Sequence, residues 1–196
     1  MGFRDFRKLA ALAALALLAG CVSLAGKPPK QLIGLTSDAM APAGALPDGR
    51  LGETLIVLDP QTERRLDVQR VAVQVSDTDI AYVQGVAWVE RPARLFRHLL
   101  AETIRARGKH LVLEANDSSP GGNLSLSGRL VDMGYDARSR SAVVRFDAMR
   151  VNARGVIEAR RFEAVVAGVA PDGDSIAPAL NRAANRVASE VADWVG

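Results

Sequence analysis

The chain is poor in the residues that build metal and redox sites. It has one cysteine, Cys21, and two histidines, His98 and His110. A single thiol closes no internal disulfide, and no set of three or four zinc ligands stands at a suitable spacing. A domain built from this chain must therefore hold itself together by packing, even in an oxidising compartment. Aromatic residues make up only 5% of the sequence, and no run of lysine and arginine is interleaved with them, which argues against a nucleic-acid surface. No apolar run reaches the roughly 18 residues that a spanning helix needs. A Gly-x-Ser-x-Gly elbow, a full EF-hand loop and an internal repeat are missing as well. The formal charge is +3, but Arg4, Arg7 and Lys8 against Asp5 supply most of it, so the rest of the chain is nearly neutral.

What is present begins at the N-terminus. Arg4, Arg7 and Lys8 precede Leu9–Leu18, which is alanine and leucine throughout. That run has the length of a signal-peptide core and is too short to cross a bilayer. It closes on Leu18-Ala19-Gly20-Cys21, which looks like the lipobox of a bacterial lipoprotein. Small residues let a signal peptidase approach the backbone, and the thiol takes the diacylglyceryl group. An ordinary secretory signal with a chance cysteine is the alternative. The only cysteine of the chain standing where acylation needs it favours the lipobox. Each buried methylene of an acyl chain contributes about 0.8 kcal/mol, and two or three chains hold a protein on its membrane. Val22 follows the cysteine where an Asp usually retains lipoproteins at the inner membrane. The expected location is the periplasmic face of the outer membrane. Residues 1–20 are then a signal peptide, 21–30 a lipidated tether, and 31–196 the folded domain.

Gln31–Thr36 reads as a first strand, and Ser37–Gly52, rich in Ala, Pro and Gly, as a mobile loop. Glu53–Leu58 and Leu66–Val75 are strand-like, while Ile80–Trp88 is apolar without a clean period. Pro92 opens a helix on which Leu95, Phe96, Leu99, Leu100 and Ile104 recur at helical spacing, and Gly108 stands where a C-terminal cap belongs. His110–Ala115 is a short strand, and Asn116–Asn123 a loop. Leu124–Tyr135, Ala142–Val151 and Val156–Val169 are long strands with short polar separators, with Gly128 a candidate bulge; together they predict an antiparallel meander. A last helix runs from about Ser175 to Trp194, with Ile176, Leu180, Ala184, Val187 and Val191 on its inner stripe and an N-cap within Asp172–Ser175. The fold class is α+β, a largely antiparallel sheet with two helices packed on one face.

Candidate chemistry is thin. Ser118, Ser119, Ser125 and Ser127 lack a base and an orienting acid nearby in the pattern. Asp77 and Asp79, like Asp172 and Asp174, flank a single residue and suit turns and caps. His98 falls at the edge of the helical stripe. Arg138 and Arg140, with Arg145 and Arg150, form either a solvated hairpin or a basic rim. Tyr82 and Trp88 are either core anchors or partner contacts.

The lipobox at Cys21, the strand Leu32-Ile33-Gly34-Leu35, the segment Leu66–Val75, and the run Ile80–Leu100 with Tyr82, Trp88 and Glu90 resemble the ABC-type transport auxiliary lipoprotein family. That family includes the PqiC-type proteins. Where the family often has a Tyr in the first strand, this chain has Ile33. The resemblance implies a domain similar to the N-terminal domain of TolB-type proteins. It implies a non-enzymatic subunit without cofactor or metal. Such subunits serve transporters that move lipids or other apolar compounds between two membranes. The implied partners are an MCE-domain (mammalian-cell-entry) substrate-binding protein with its ABC permease and ATPase, and the membrane through the N-terminal lipid. Nucleic acid is not a partner, and a homo-oligomer stays open. A TolB-like or assembly-factor lipoprotein of another envelope complex is the alternative. A periplasmic hydrolase or a peptidoglycan anchor lacks a recognisable motif here.

Overall fold

In the computed structural model, residues 28–44, 54–115, 124–152 and 154–196 are described; Cys21, the signal peptide and the loop expected at 116–123 lie outside them. Residues Gln31–Gly196 form one compact unit. Its elements in order are β1 (Gln31–Ile33), β2 (Leu55–Leu58), β3 (Gln61–Thr62), β4 (Arg70–Gln74), β5 (Ile80–Trp88), α1 (Pro92–Ala106), β6 (Val112–Ala115), β7 (Leu124–Asp136), β8 (Ser141–Val151), β9 (Ile157–Val166) and α2 (Gly173–Val195).

The expected meander is there. β7, β8 and β9 run antiparallel; the short polar turn at 137–140 joins the first two, and Asn152 and Gly155 are hydrogen-bonded in the connection between the last two. Leu126, Leu130, Met133 and Tyr135 of β7 share a face with Val144, Phe146 and Ala148 of β8 and with Phe162 and Ala164 of β9, and all are buried. Both helices cover that face. Phe96 of α1 meets Phe146 edge-on, with ring centroids 5.2 Å apart, and Trp194 of α2 packs on Phe162 at 5.6 Å. Leu95, Phe96, Leu99, Leu100 and Ile104 all point into the core, as the period predicts. Gly108 follows the helix at φ +69°, which a glycine adopts without strain. On α2 the buried stripe includes Ala179, Ala183, Ala184, Ala188 and Ala192, whose small side chains let the helix approach closely.

The other half of the sheet departs from the expected antiparallel pattern. The free side of β7 is lined end to end by three short parallel strands: Leu55–Val57 lie on Leu124–Leu126, Gln61–Thr62 on Arg129–Leu130, and Ala72–Gln74 on Gly134–Asp136. β6 extends this wing beyond β2, and β5 and β1 extend it beyond β4, with β6 and β1 also parallel to their neighbours. The longest ladders remain antiparallel.

Several boundaries move. The strand expected over Leu66–Val75 begins only at Arg70, because residues 64–66 make a turn that buries Leu66 as a plug. The bulge expected at Gly128 lies between Leu130 and Asp132, while Gly128 stays in register with Ala148. The first strand ends at Ile33, and the segment after it is tied to the helices. Asn181 Oδ1 accepts from the Thr36 N–H at 2.8 Å, and Asn185 Oδ1 from Asp38 N–H at 2.9 Å. Glu102 accepts from the Ala41 N–H at 3.1 Å. The loop expected from Ser37 is therefore pinned to both helices through Ala41; residues 45–53 lie outside the described residues.

Candidate partner interface

Tyr82 and Trp88 stand six positions apart on β5 and would share a face in a regular strand. Gly85, at φ +74°, and a register shift between Arg70 and Ala72 break the alternation between them. Trp88 is 1% exposed and belongs to the core, so its ring offers no surface to a partner. Its place as a partner contact is corrected on that ground. Tyr82 is half-buried, and the Arg70 guanidinium lies over its ring 3.9 Å from the centroid. The ring borders a largely apolar cleft of about 450 Å³ between the β4–β5 hairpin and the start of α2, lined by Val73, Ala81, Val83, Ala137, Pro171 and Ile176. Asp172 caps α2 there, its Oδ1 accepting from the Ser175 N–H at 2.8 Å. The helix can start this close to β5 because Gly173 has no side chain. A Cβ there would press on Val86 and stand 2.8 Å from Gln31 Oε1.

The arginines do not form a basic rim. Arg138, in the β7–β8 turn, pairs with Asp136 at the end of β7 and with Asp77 of the β4–β5 turn. Arg150 takes Glu158 Oε2 at 2.8 and 2.6 Å, donates to the Trp194 carbonyl and stacks on its ring. Arg145 pairs with Glu163 and with Asp132 at 3.6 Å. Each of these three positive charges has its own carboxylate, which cancels the field that anionic headgroups would need. Arg140 holds the turn at φ 50°. The sheet face away from the helices instead carries charge in rows. Arg129, Asp147 and Arg161 stand in one row across β7, β8 and β9, and Asp132, Arg145 and Glu163 in the next. Arg161 grips Asp147 at 2.5 and 2.7 Å and, with Arg129 at 3.6 Å, holds that carboxyl below its ordinary range.

A second cluster was invisible in the sequence. His98 sits half-exposed at the edge of the α1 stripe, as expected, with Nδ1 2.5 Å from Glu114 Oε2 on β6. Glu114 also meets Arg97 Nε at 3.3 Å and accepts from Arg105 Nη2 at 2.9 Å. Buried Arg97 reaches Asp59 at 2.8 Å. The group clasps α1 to the ends of β2 and β6. Spacing alone could not reveal it, because Asp59, Arg97 and Glu114 meet only through the fold. Burial pushes the Glu114 pKa up, but the hydrogen bond from Arg105 and the nearby His98 and Arg105 outweigh it and hold the carboxyl below its usual 4.5. A lowered carboxylate stabilises the fold above its unfolded value, and that contribution is lost as pH falls through the folded one. Glu114→Gln should therefore lower stability at pH 7 by about 1–3 kcal/mol and flatten the loss in acid. Urea midpoints of both chains at pH 7 and 3.5 check this; parallel declines would refute it.

The remaining sequence candidates that fall among the described residues sit in the sheet and its turns. Ser125 and Ser127 lie on the charged sheet face in register with Val151 and Met149. Asp79 accepts from Ser76 Oγ at 2.7 Å in the β4–β5 turn. Ser118, Ser119 and Cys21 lie outside the described residues. Among the described residues no helix is long and apolar enough to cross a membrane, and no three metal-ligating side chains gather.

Comparison with known proteins places this architecture. A crystal structure of a Xanthomonas campestris protein of family DUF330 superposes with a TM-score of 0.67 at 18% identity, covering 83% of this chain and 93% of its own. A second crystal structure, of an uncharacterized protein, gives 0.67 at 14% identity over 85% and 99%. These likenesses establish a shared fold. No curated protein sequence matches the chain. The sequence itself matches the ABC-type transport auxiliary lipoprotein components over residues 35–192, from just after β1 to the last turn of α2. With that match the resemblance carried by Tyr82, Trp88 and Glu90 is settled: the chain belongs to the family of ABC-type transport auxiliary lipoprotein components.

Proposed function

We propose that this chain is a non-enzymatic docking subunit, acylated on Cys21 and held at the periplasmic face of the outer membrane. Its partner is the MCE-domain substrate-binding protein of an ABC transporter that moves lipids or other apolar compounds between the two membranes. The family match over nearly the whole folded unit carries this reading. The signal Leu18-Ala19-Gly20-Cys21, followed by Val22, supports the anchor and its location. Tyr82 is the residue assigned to the docking contact, because it combines a half-exposed aromatic ring with an apolar cleft.

The full chain should capture the periplasmic part of its cognate MCE protein and turn over neither esters nor peptides. Tyr82→Ala should weaken capture about tenfold. Cys21→Ser should move the chain off the membrane and leave capture intact. Failure to bind, or turnover abolished by changing one Ser, His or Asp, would overturn the docking reading.

A further inference from the structure

Among the described residues, β9 is a ten-residue strand at the edge of the sheet, paired with β8 alone. The edge strands of the other wing, β1 and β6, have three and four residues. Natural proteins usually shorten such an edge, load it with charge, or break it with a proline or a bulge, since its free N–H and C=O groups invite another strand. β9 is long, no proline interrupts it, and its ladder to β8 runs from Ile157 to Val166 without a shift; the charges it carries, Glu158, Arg160, Arg161 and Glu163, are of both signs. On the face away from the helices its side chains are Ile157, Ala159, Arg161, Glu163 and Val165. Ile157 is 63% exposed and Val165 44%.

The charges on this face fix a register. We propose that two copies of this chain pair β9 against β9, antiparallel and centred on Phe162, to form a two-fold dimer. In that register Arg161 faces the partner's Glu163, Glu163 faces the partner's Arg161, and Ala159 faces the partner's Val165 at both ends. The rows of the monomer then continue across the seam. One reads Asp132, Arg145, Glu163 and then the partner's Arg161, Asp147 and Arg129, with the sign alternating at every strand. The two-fold generates the complementary row from the same residues. Shifting the pairing by two residues in number, either way, sets Arg161 against Arg161 or Glu163 against Glu163, and like charges directly opposite destabilise a sheet. An odd shift would put the helix-covered face of one copy level with the open face of the other. Only the Phe162-centred register satisfies face and charge together. Charge complementarity of the strand with itself is what selects a second copy as the occupant over a foreign strand.

Disulfide trapping in the full chain tests the register. Against a Cys21→Ser background, Ala159→Cys with Val165→Cys supplies the only two thiols. Within one copy they lie about 20 Å apart along the strand, too far to bridge. Oxidation should give a covalent dimer from the double variant and none from either single one. Light scattering on the purified full chain should show a dimer that Arg161→Glu weakens about a hundredfold, because the repulsion it creates occurs twice. Val165→Asp, which removes no ion pair, should weaken it similarly, and circular dichroism confirms that both variants fold. A chain that is monomeric at all concentrations overturns the proposal. So does a dimer indifferent to both substitutions, single variants that cross-link as well as the double, or a larger assembly without the 159–165 bond.

Discussion

Phe96→Ala is expected to remove about 3–5 kcal/mol of stability, the usual cost of emptying a buried phenylalanine site. Phe96 is fully buried on the inner face of α1 and meets Phe146 at 69° between ring planes, so the loss includes an aromatic pair as well as a cavity. The residues around the hole belong to a helix and a central strand that cannot move toward each other independently, which places the cost in the upper part of that range. Thermal melts should show a fall in Tm on the order of 10 °C, against little change for Arg94→Ala on the exposed side of the same helix. A Tm unmoved by Phe96→Ala would mean that α1 does not pack as described.

Gly128→Ala should be comparably damaging although it adds a single methyl group. A Cβ at Gly128 would collide with the Asp147 carbonyl and stand 2.8 Å from Cε2 and Cζ of Phe146. Two strands and a packed ring would have to shift at once, and the expected loss is about 3 kcal/mol, the upper end for overpacking. Gly155→Ala is the control. Gly155 also has a positive φ, +74°, but nothing stands near its Cβ position, so only backbone strain of about 1 kcal/mol should appear. Phe146→Leu in the Gly128→Ala background should recover part of the loss, since it relieves the ring but leaves the carbonyl. Equal costs at the two glycines would remove the steric account.

Both sites show what the sequence could and could not disclose. Phe96 was legible because a helical stripe repeats within fifteen residues and ends on a glycine. The meander was legible because its strands are long, alternate, and are joined by short polar turns. The role of Gly128 was not, since a glycine in a strand reads equally as a bulge or as room for a neighbour's ring. The wing of β2, β3 and β4 also escaped, because strands of two to five residues carry no period of their own. Their partners lie far along the chain. The charged rows and the clasp around Glu114 required the register, which no spacing encodes. Tyr82 and Trp88 looked equivalent until Gly85 separated their faces.

The parallel wing also has a consequence for the order in which the molecule is assembled. Leu55 pairs with Leu124 and Ala72 with Gly134, whereas β7, β8 and β9 are neighbours in the chain. Closing the short hairpins of the C-terminal half sacrifices little chain entropy, and closing the long loops of the N-terminal half sacrifices more. A ribosome delivers these halves in the opposite order. The apolar segment Leu55-Ile56-Val57-Leu58 emerges early and has no strand to join until β6, and then β7, have been made. During that interval it is the part of the nascent chain most exposed to wrong partners, and the part that gains most from being shielded while synthesis finishes.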